Sequence, residues 1–222
     1  MIKRLKMATI AVLIFAMAMP VSALGSVQVA SMKEQAEAPG MHFSASYPRL
    51  SGIGNQERQQ KLNRTFHEAS LSVKTQAEYA AKQAPILAQF GYQVTRNEKG
   101  VLSICTERTL QQNGHDRREK QGITVNTANG APYSFSSLFK KNTDYVGVLS
   151  ERVQAQIASK GFKGKQKKPF KQIGLQQDFY LTKTDLVLII PQGTYFSDDC
   201  GIVEFKIALQ SLDGVLNPSI RF

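Results

Sequence analysis

Three histidines, two cysteines and the adjacent pair Asp198-Asp199 include the side chains best suited to ligate a metal or move a proton near neutral pH. His42, His67 and His115 fall on an expected strand, helix and loop. None has the His-x-x-x-His or His-Cys spacing that brings two ligands onto one face. His67 follows Phe66 and reads as a helix-surface residue before it reads as a ligand. There is no Gly-x-Ser-x-Gly elbow, no glycine loop to cradle phosphate and no deacetylase-like Asp/Glu/His metal set. Asp198 and Asp199 could hold a cation with loop carbonyls, although adjacent acids more often mark a solvated turn. The expectation is a non-catalytic chain with no metal and no cofactor. An enzyme built around His115 and Asp116 with Asp198 or Asp199 is the alternative.

The densest charge lies in Lys160–Lys171, which holds six lysines in twelve residues with Phe162 and Phe170 between them. Lysine clusters of this kind hold anionic polymers or membrane surfaces, and interleaved aromatics can stack on a ligand. The plainer reading is a solvated loop whose two phenylalanines anchor it to the core. The candidate binding residues are Lys163, Lys165, Lys167 and Lys168, joined by His115, Arg117 and Arg118 from the polar stretch Leu110–Lys120. Nucleic acid is set aside as a partner, because the chain reads as exported.

That export reading rests on the first residues. Lys3, Arg4 and Lys6 precede the apolar run Met7–Met19, Pro20 breaks it, and Val21-Ser22-Ala23 has the small residues of a cleavage site. The run is shorter than a bilayer span of roughly 20 residues. Residues 1–23 are therefore expected to be a signal peptide, with an uncleaved anchor as the alternative, and residues 24–40 a linker without apolar period. Residues 41–222 are expected to form one domain outside the cytoplasm, in the periplasm or at the cell surface, with no transmembrane span after cleavage. The formal charge of +11 over 222 residues falls to +8 without the three leading cations. In an exported chain Cys105 and Cys200 are most simply one disulfide closing a loop of about 95 residues, worth on the order of 4–5 kcal/mol. Two buried thiols are the other possibility.

Periodicity supplies the frame. His42–Tyr47 reads as a strand ending at Pro48, followed by a helix capped by Asn55. In that helix Leu62, Phe66, Ala69, Val73, Ala77 and Ala80 form one stripe. Gln89–Arg96 and Val101–Arg108 read as strands around an Asn97–Gly100 turn, and Gln121–Thr127 as another strand. A second helix capped by Asn142 or Thr143 runs to about Ser159. Phe179–Leu181, Leu186–Ile190 and Val203–Ala208 read as the buried core strands. The fold class expected is α+β: a mainly antiparallel sheet packed against two helices.

Several segments stand in order along the chain: Tyr47-Pro48-Arg49-Leu50-Ser51-Gly52, Asn55–Phe66 and Ser137-Leu138-Phe139-Lys140 with Tyr145. They continue through Phe179-Tyr180-Leu181-Thr182, Leu186-Val187 and Gly201–Ile207. In this order and spacing they resemble the RsiV-like family, the extracytoplasmic domain shared by RsiV-type anti-sigma factors and PdaC-type peptidoglycan deacetylases. Where family members commonly read Gly-Gly-Ala-His-Gly, this chain has Asn113-Gly114-His115-Asp116-Arg117. The resemblance implies an envelope-associated binding module for a wall glycan, an anionic wall polymer or, as in the anti-sigma branch, lysozyme. An enzyme acting on wall glycan, an accessory domain of a peptidoglycan deacetylase and a structural envelope protein are the alternatives. Lysozymes of the animal type are basic, so a net charge of +8 ranks them below a wall polymer.

Overall fold

Two sheets and two long helices stack in the order helix, six-stranded sheet, three-stranded sheet, helix. The computed structural model describes the backbone of residues 15–17, and residues 26–220 except 160, 163 and 219. The signal segment expected at 1–23 lies outside the described residues apart from 15–17. The first sheet holds β1 (Phe15–Met17), β2 (Gln28–Ala38), β3 (Met41–Ser51), β4 (Ile86–Glu98), β5 (Val101–Gln112) and β6 (His115–Asn126), in that order. All neighbours are antiparallel except β3 and β4, which are parallel and joined by α1 (Gln56–Ala80). Parallel neighbours need such a crossover, which accounts for the helix's place in the chain.

Helix α1 begins where expected. The Asn55 side chain accepts a hydrogen bond from the Arg58 amide at 2.9 Å, and Glu57 sits in the first turn. Phe66, Val73 and Ala77 are fully buried against Phe43, Ala45, Ala88 and Ile104 of the sheet. Asn63 fixes the helix along β3 by accepting from the Leu50 amide at 2.7 Å and donating to its carbonyl at 3.0 Å. Pro48 does not end β3. From Ser46 onward β3 has lost its β4 neighbour, so a residue without an N–H is tolerated in a ladder paired on one side.

Two stretches correct the sequence reading. Much of the expected linker is strand: Gln28–Ala38 pairs with β3 along its full length. Its inward positions are filled by Ala36 and by Glu34, whose carboxylate meets Lys74 of α1 at 3.0 Å. An alanine and a neutralised glutamate give no apolar period, so the strand is hidden. The polar stretch Leu110–Lys120 is the end of a long hairpin. Asn113 (φ 52°) and Gly114 (φ 74°) form its two-residue turn, and both take the positive φ that such turns require.

The second sheet is β7 (Phe179–Leu181), β8 (Asp185–Ile190) and β9 (Val203–Ala208), as expected from the apolar runs. One face packs on α2 (Tyr145–Ser159) through Leu149, Val153, Leu188 and Phe205. The cap of α2 is Asp144, which accepts from the Gly147 amide at 2.9 Å, rather than Asn142 or Thr143. The other face meets the first sheet through Tyr180, Val187 and Ile189, which pack on Cys105. Beside them Ser103 Oγ lies 2.8 Å from Thr124 Oγ1 and accepts from the Leu181 amide at 3.0 Å. These contacts fall on β5 and β6, with a lighter approach to β4, so β7 covers one side of the first sheet's face and leaves β2, β3 and the Gln89–Gln93 stretch of β4 open.

Gly122 sets how near β7 can come: a methyl group there would overlap the Phe179 carbonyl. Gly122→Ala should therefore cost about 1–3 kcal/mol in denaturant unfolding, the range for an overpacked core. Gly91→Ala, with nothing within 4 Å of the added carbon, should change stability by less than about 0.5 kcal/mol.

Candidate functional site: a polar groove on the open sheet face

Side chains alternate across a sheet, so the open face collects the residues of β2–β6 that point away from α1. Gln35 of β2, Ser44 and Ser46 of β3, Gln89 and Gln93 of β4, and Thr109 of β5 line a trough of about 600 Å³. Lys33 stands at one side, and Tyr180 of β7 forms part of the wall on the side of the second sheet. Neutral amides and hydroxyls dominate. Such groups both donate and accept, and suit a ligand rich in hydroxyl and amide groups.

At its inner end the trough meets an ionic cluster. Lys120 Nζ lies 3.0 Å from Glu204 and 3.6 Å from Glu107. Burial works against the Lys120 ammonium, but the hydrogen bond to Glu204 and the two carboxylate charges outweigh it and raise its pKa. The Tyr180 hydroxyl, buried and hydrogen-bonded to Glu204, is held well above the ordinary phenol value. Both groups are thus kept protonated, Lys120 as a cation and Tyr180 as a donor.

Glu107 and Lys120 also line a second cleft, of about 680 Å³, between the β5–β6 hairpin tip and the turn Asp198–Cys200. Trough and cleft therefore share a wall and form one groove. The cleft gathers His115, Asp116, Asp198 and Asp199, the four residues of the alternative catalytic reading. A hydrogen bond from Gln111, with the guanidinium of Arg118 at 3.1 Å, holds the Asp116 carboxyl below its usual range. Asp199 is lowered chiefly by a hydrogen bond from Ser197. Gln192 ties the two sides: its amide donates to the Asp116 and Asp198 carbonyls at 3.2 Å each, and its oxygen accepts from the Arg118 amide at 3.1 Å. Among the described residues no group of three or more His, Cys, Asp or Glu is arranged to hold a metal.

The basic residues singled out in the sequence are dispersed. Lys167 pairs with Asp198 at 3.0 Å, Lys165 approaches Asp199 at 4.0 Å, and Lys168 lies over the Tyr195 ring at 4.6 Å. Lys163 lies outside the described residues. Phe162 packs on Phe196, and Phe170 is buried against Tyr195, so both anchor the loop to the core. Arg118 faces the groove, whereas Arg117 points to the opposite side of the strand and pairs with Glu119 at 3.0 Å. His115 is exposed at the hairpin tip. The glutamines that line the trough carry no recognisable spacing in the sequence. Only the pairing of β2, β3 and β4 brings them together.

Cys105 and Cys200 are free thiols, which corrects the disulfide expectation. Cys105 is buried between the sheets against Tyr180, while Cys200 sits in the cleft turn beside Ser197 and packs toward the α2 core. Burial pushes the Cys105 thiol up to about 11 from an ordinary 9.0. In native protein at pH 8 a disulfide-exchange reagent should titrate one thiol, Cys200, with Cys105 reacting only in denaturant. Because the unfolded thiol loses its proton first, stability should decline as pH rises from about 9 and level off near 11 on this account. Cys105→Ser should flatten that part of a pH–stability curve.

Residues 136–210 match the family model described as "Protein of unknown function (DUF3298)". That span begins just before α2 and closes with β9, so it takes in the whole second sheet. No curated protein matches the chain. Among solved structures the chain is similar to a DUF3298 family protein from Pseudomonas aeruginosa PAO1, with a TM-score of 0.62 and 12% identity. It is similar also to a member of that family from Bacteroides fragilis NCTC 9343, with a TM-score of 0.57 and 12% identity. Each comparison covers 87% of this chain and 94% of the other. Residues 136–210 are thus similar to the DUF3298 family, and the chain shares its fold with two solved DUF3298 proteins.

Proposed function

We propose that this chain is a non-catalytic binding module of the cell envelope, of the RsiV-like kind, and that its groove takes a stretch of wall glycan. The observation that carries the reading is the trough floor of Gln35, Gln89, Gln93, Ser44 and Ser46, open to solvent over about 600 Å³. Glycan hydroxyls and acetamido groups need paired donors and acceptors rather than net charge, and the floor supplies them. An anionic polymer or lysozyme is less well matched. Lys165 and Lys167 face carboxylates, and Lys168 lies on a ring. Export from the cytoplasm belongs to the same proposal and follows from the leader-like first residues.

Binding of soluble peptidoglycan glycan strands, measured by calorimetry at two salt concentrations, should be nearly independent of salt. Gln89→Ala with Gln93→Ala removes two neutral hydrogen bonds of about 1 kcal/mol each and should weaken it roughly tenfold or more. Lys167→Ala with Lys168→Ala should leave it almost unchanged. Strongly salt-dependent binding lost in the lysine variant would move the ligand to an anionic polymer. Salt-insensitive capture of lysozyme with no glycan binding would replace this reading by the lysozyme one.

A second reading has its own support, since His115, Asp116, Asp198 and Asp199 share one cleft. If the chain turns over peptidoglycan, His115→Ala should abolish release of acetate or reducing ends while leaving thermal unfolding unchanged.

A further inference from the structure

The outer edge of β2 is partnered over a short part of its length. Phe15–Met17 pairs with Ser31–Lys33, and from Glu34 to Ala38 the described residues place no strand beside it. In a chain cleaved after Ala23 even the β1 contact is gone, and β2 becomes a bare edge along all its residues from Gln28. Bare edges present a row of unsatisfied amide and carbonyl groups, which recruit another strand unless charge or shape prevents it.

The charges on this edge select a partner. Lys33, Gln35 and Glu37 point to one face of the sheet and are exposed, with Lys33 and Gln35 lining the trough. Consider a second β2 laid antiparallel so that Gln35 opposes its own copy. Lys33 then faces Glu37 of the other chain and Glu37 faces its Lys33. On the α1 side, Glu34 faces Ala36 in both directions. Shifting the centre to Lys33, Glu34 or Glu37 instead sets like charges opposite one another, which destabilises an antiparallel pair. The Gln35 register also satisfies the condition for a two-fold interface, in which each contact occurs twice.

We propose that the Met32–Ala38 edge of β2 is a self-complementary docking surface. A second copy of this chain adds its own β2 there, antiparallel, across a two-fold axis at Gln35. The paired sheets form one continuous sheet, and the two troughs meet along the axis because Lys33 and Gln35 belong to both the edge and the trough wall. Each copy thus contributes residues to a groove that crosses from one chain to the other. The Met32–Lys33 positions bonded by β1 are needed for this ladder, so where Phe15–Met17 is retained the second copy displaces that three-residue contact.

The test uses the full chain expressed with its leader, the N-terminus of the purified protein being read by mass spectrometry. Sedimentation over a concentration series should show a dimer. Lys33→Glu and Glu37→Lys should each weaken it by about tenfold or more, because each turns two attractive pairs into repulsive ones. The double variant, which restores opposite charges across the axis, should recover the dimer. In a Cys200→Ser background, Gln35→Cys should cross-link to its own copy on mild oxidation, since directly opposed residues bring their Cβ atoms within about 5.5 Å. Gln28→Cys, near the other end of β2, should not. A monomer at every concentration overturns the proposal, whether or not Phe15–Met17 is retained. So does a dimer indifferent to both charge variants, or cross-linking at Gln28 equal to that at Gln35.

Discussion

The close approach of β7 to β6 at Gly122 is the constraint on which the rest of this structure depends. With no side chain at that position the Phe179 backbone comes down on the first sheet. The Leu181 amide then finds Ser103 Oγ, which is shared with Thr124. A buried polar node of this kind is costly unless every group is satisfied, and here the hydroxyls and the amide satisfy one another. The node fixes the second sheet over β5 and β6. The trough follows from that offset, because the stretches of β2, β3 and β4 left uncovered carry glutamine and serine outward.

What could be read from the sequence was whatever one element decides by itself. The stripe of α1, its Asn55 cap and the apolar runs of β8 and β9 are local statements, and they stand. The misses share a cause. β2 buries Glu34 only because Lys74 of α1 meets it, and Pro48 continues β3 only because β4 has already departed. The far end of the β5–β6 hairpin is polar on both faces, so its strands show alternation of partners rather than of hydrophobicity. The Asn113-Gly114 turn was the one signal that could have found it. The groove was hidden for a stronger reason. Gln35, Ser44 and Gln89 are neighbours only through the pairing of three strands, two of them parallel across a 25-residue helix.

Charge is arranged otherwise than composition suggests. The formal +11 leads one to look for an anion-binding surface. Yet the densest lysine segment folds against Asp198 and Asp199, and such exposed, solvent-screened pairs contribute little to stability. Their effect is local neutralisation, which keeps the cleft rim from presenting a strong positive field to the open trough.

Lys120 stands in both walls of the groove, between Glu204 and Glu107. A ligand in the trough that drew on Glu107 would alter the charge balance felt by Asp116 and Arg118 in the cleft. The reverse holds by the same amount, since coupling between two sites is reciprocal. A ligand bound on the trough side would therefore be felt across the shared wall, as a change in the affinity of the cleft for protons and ions.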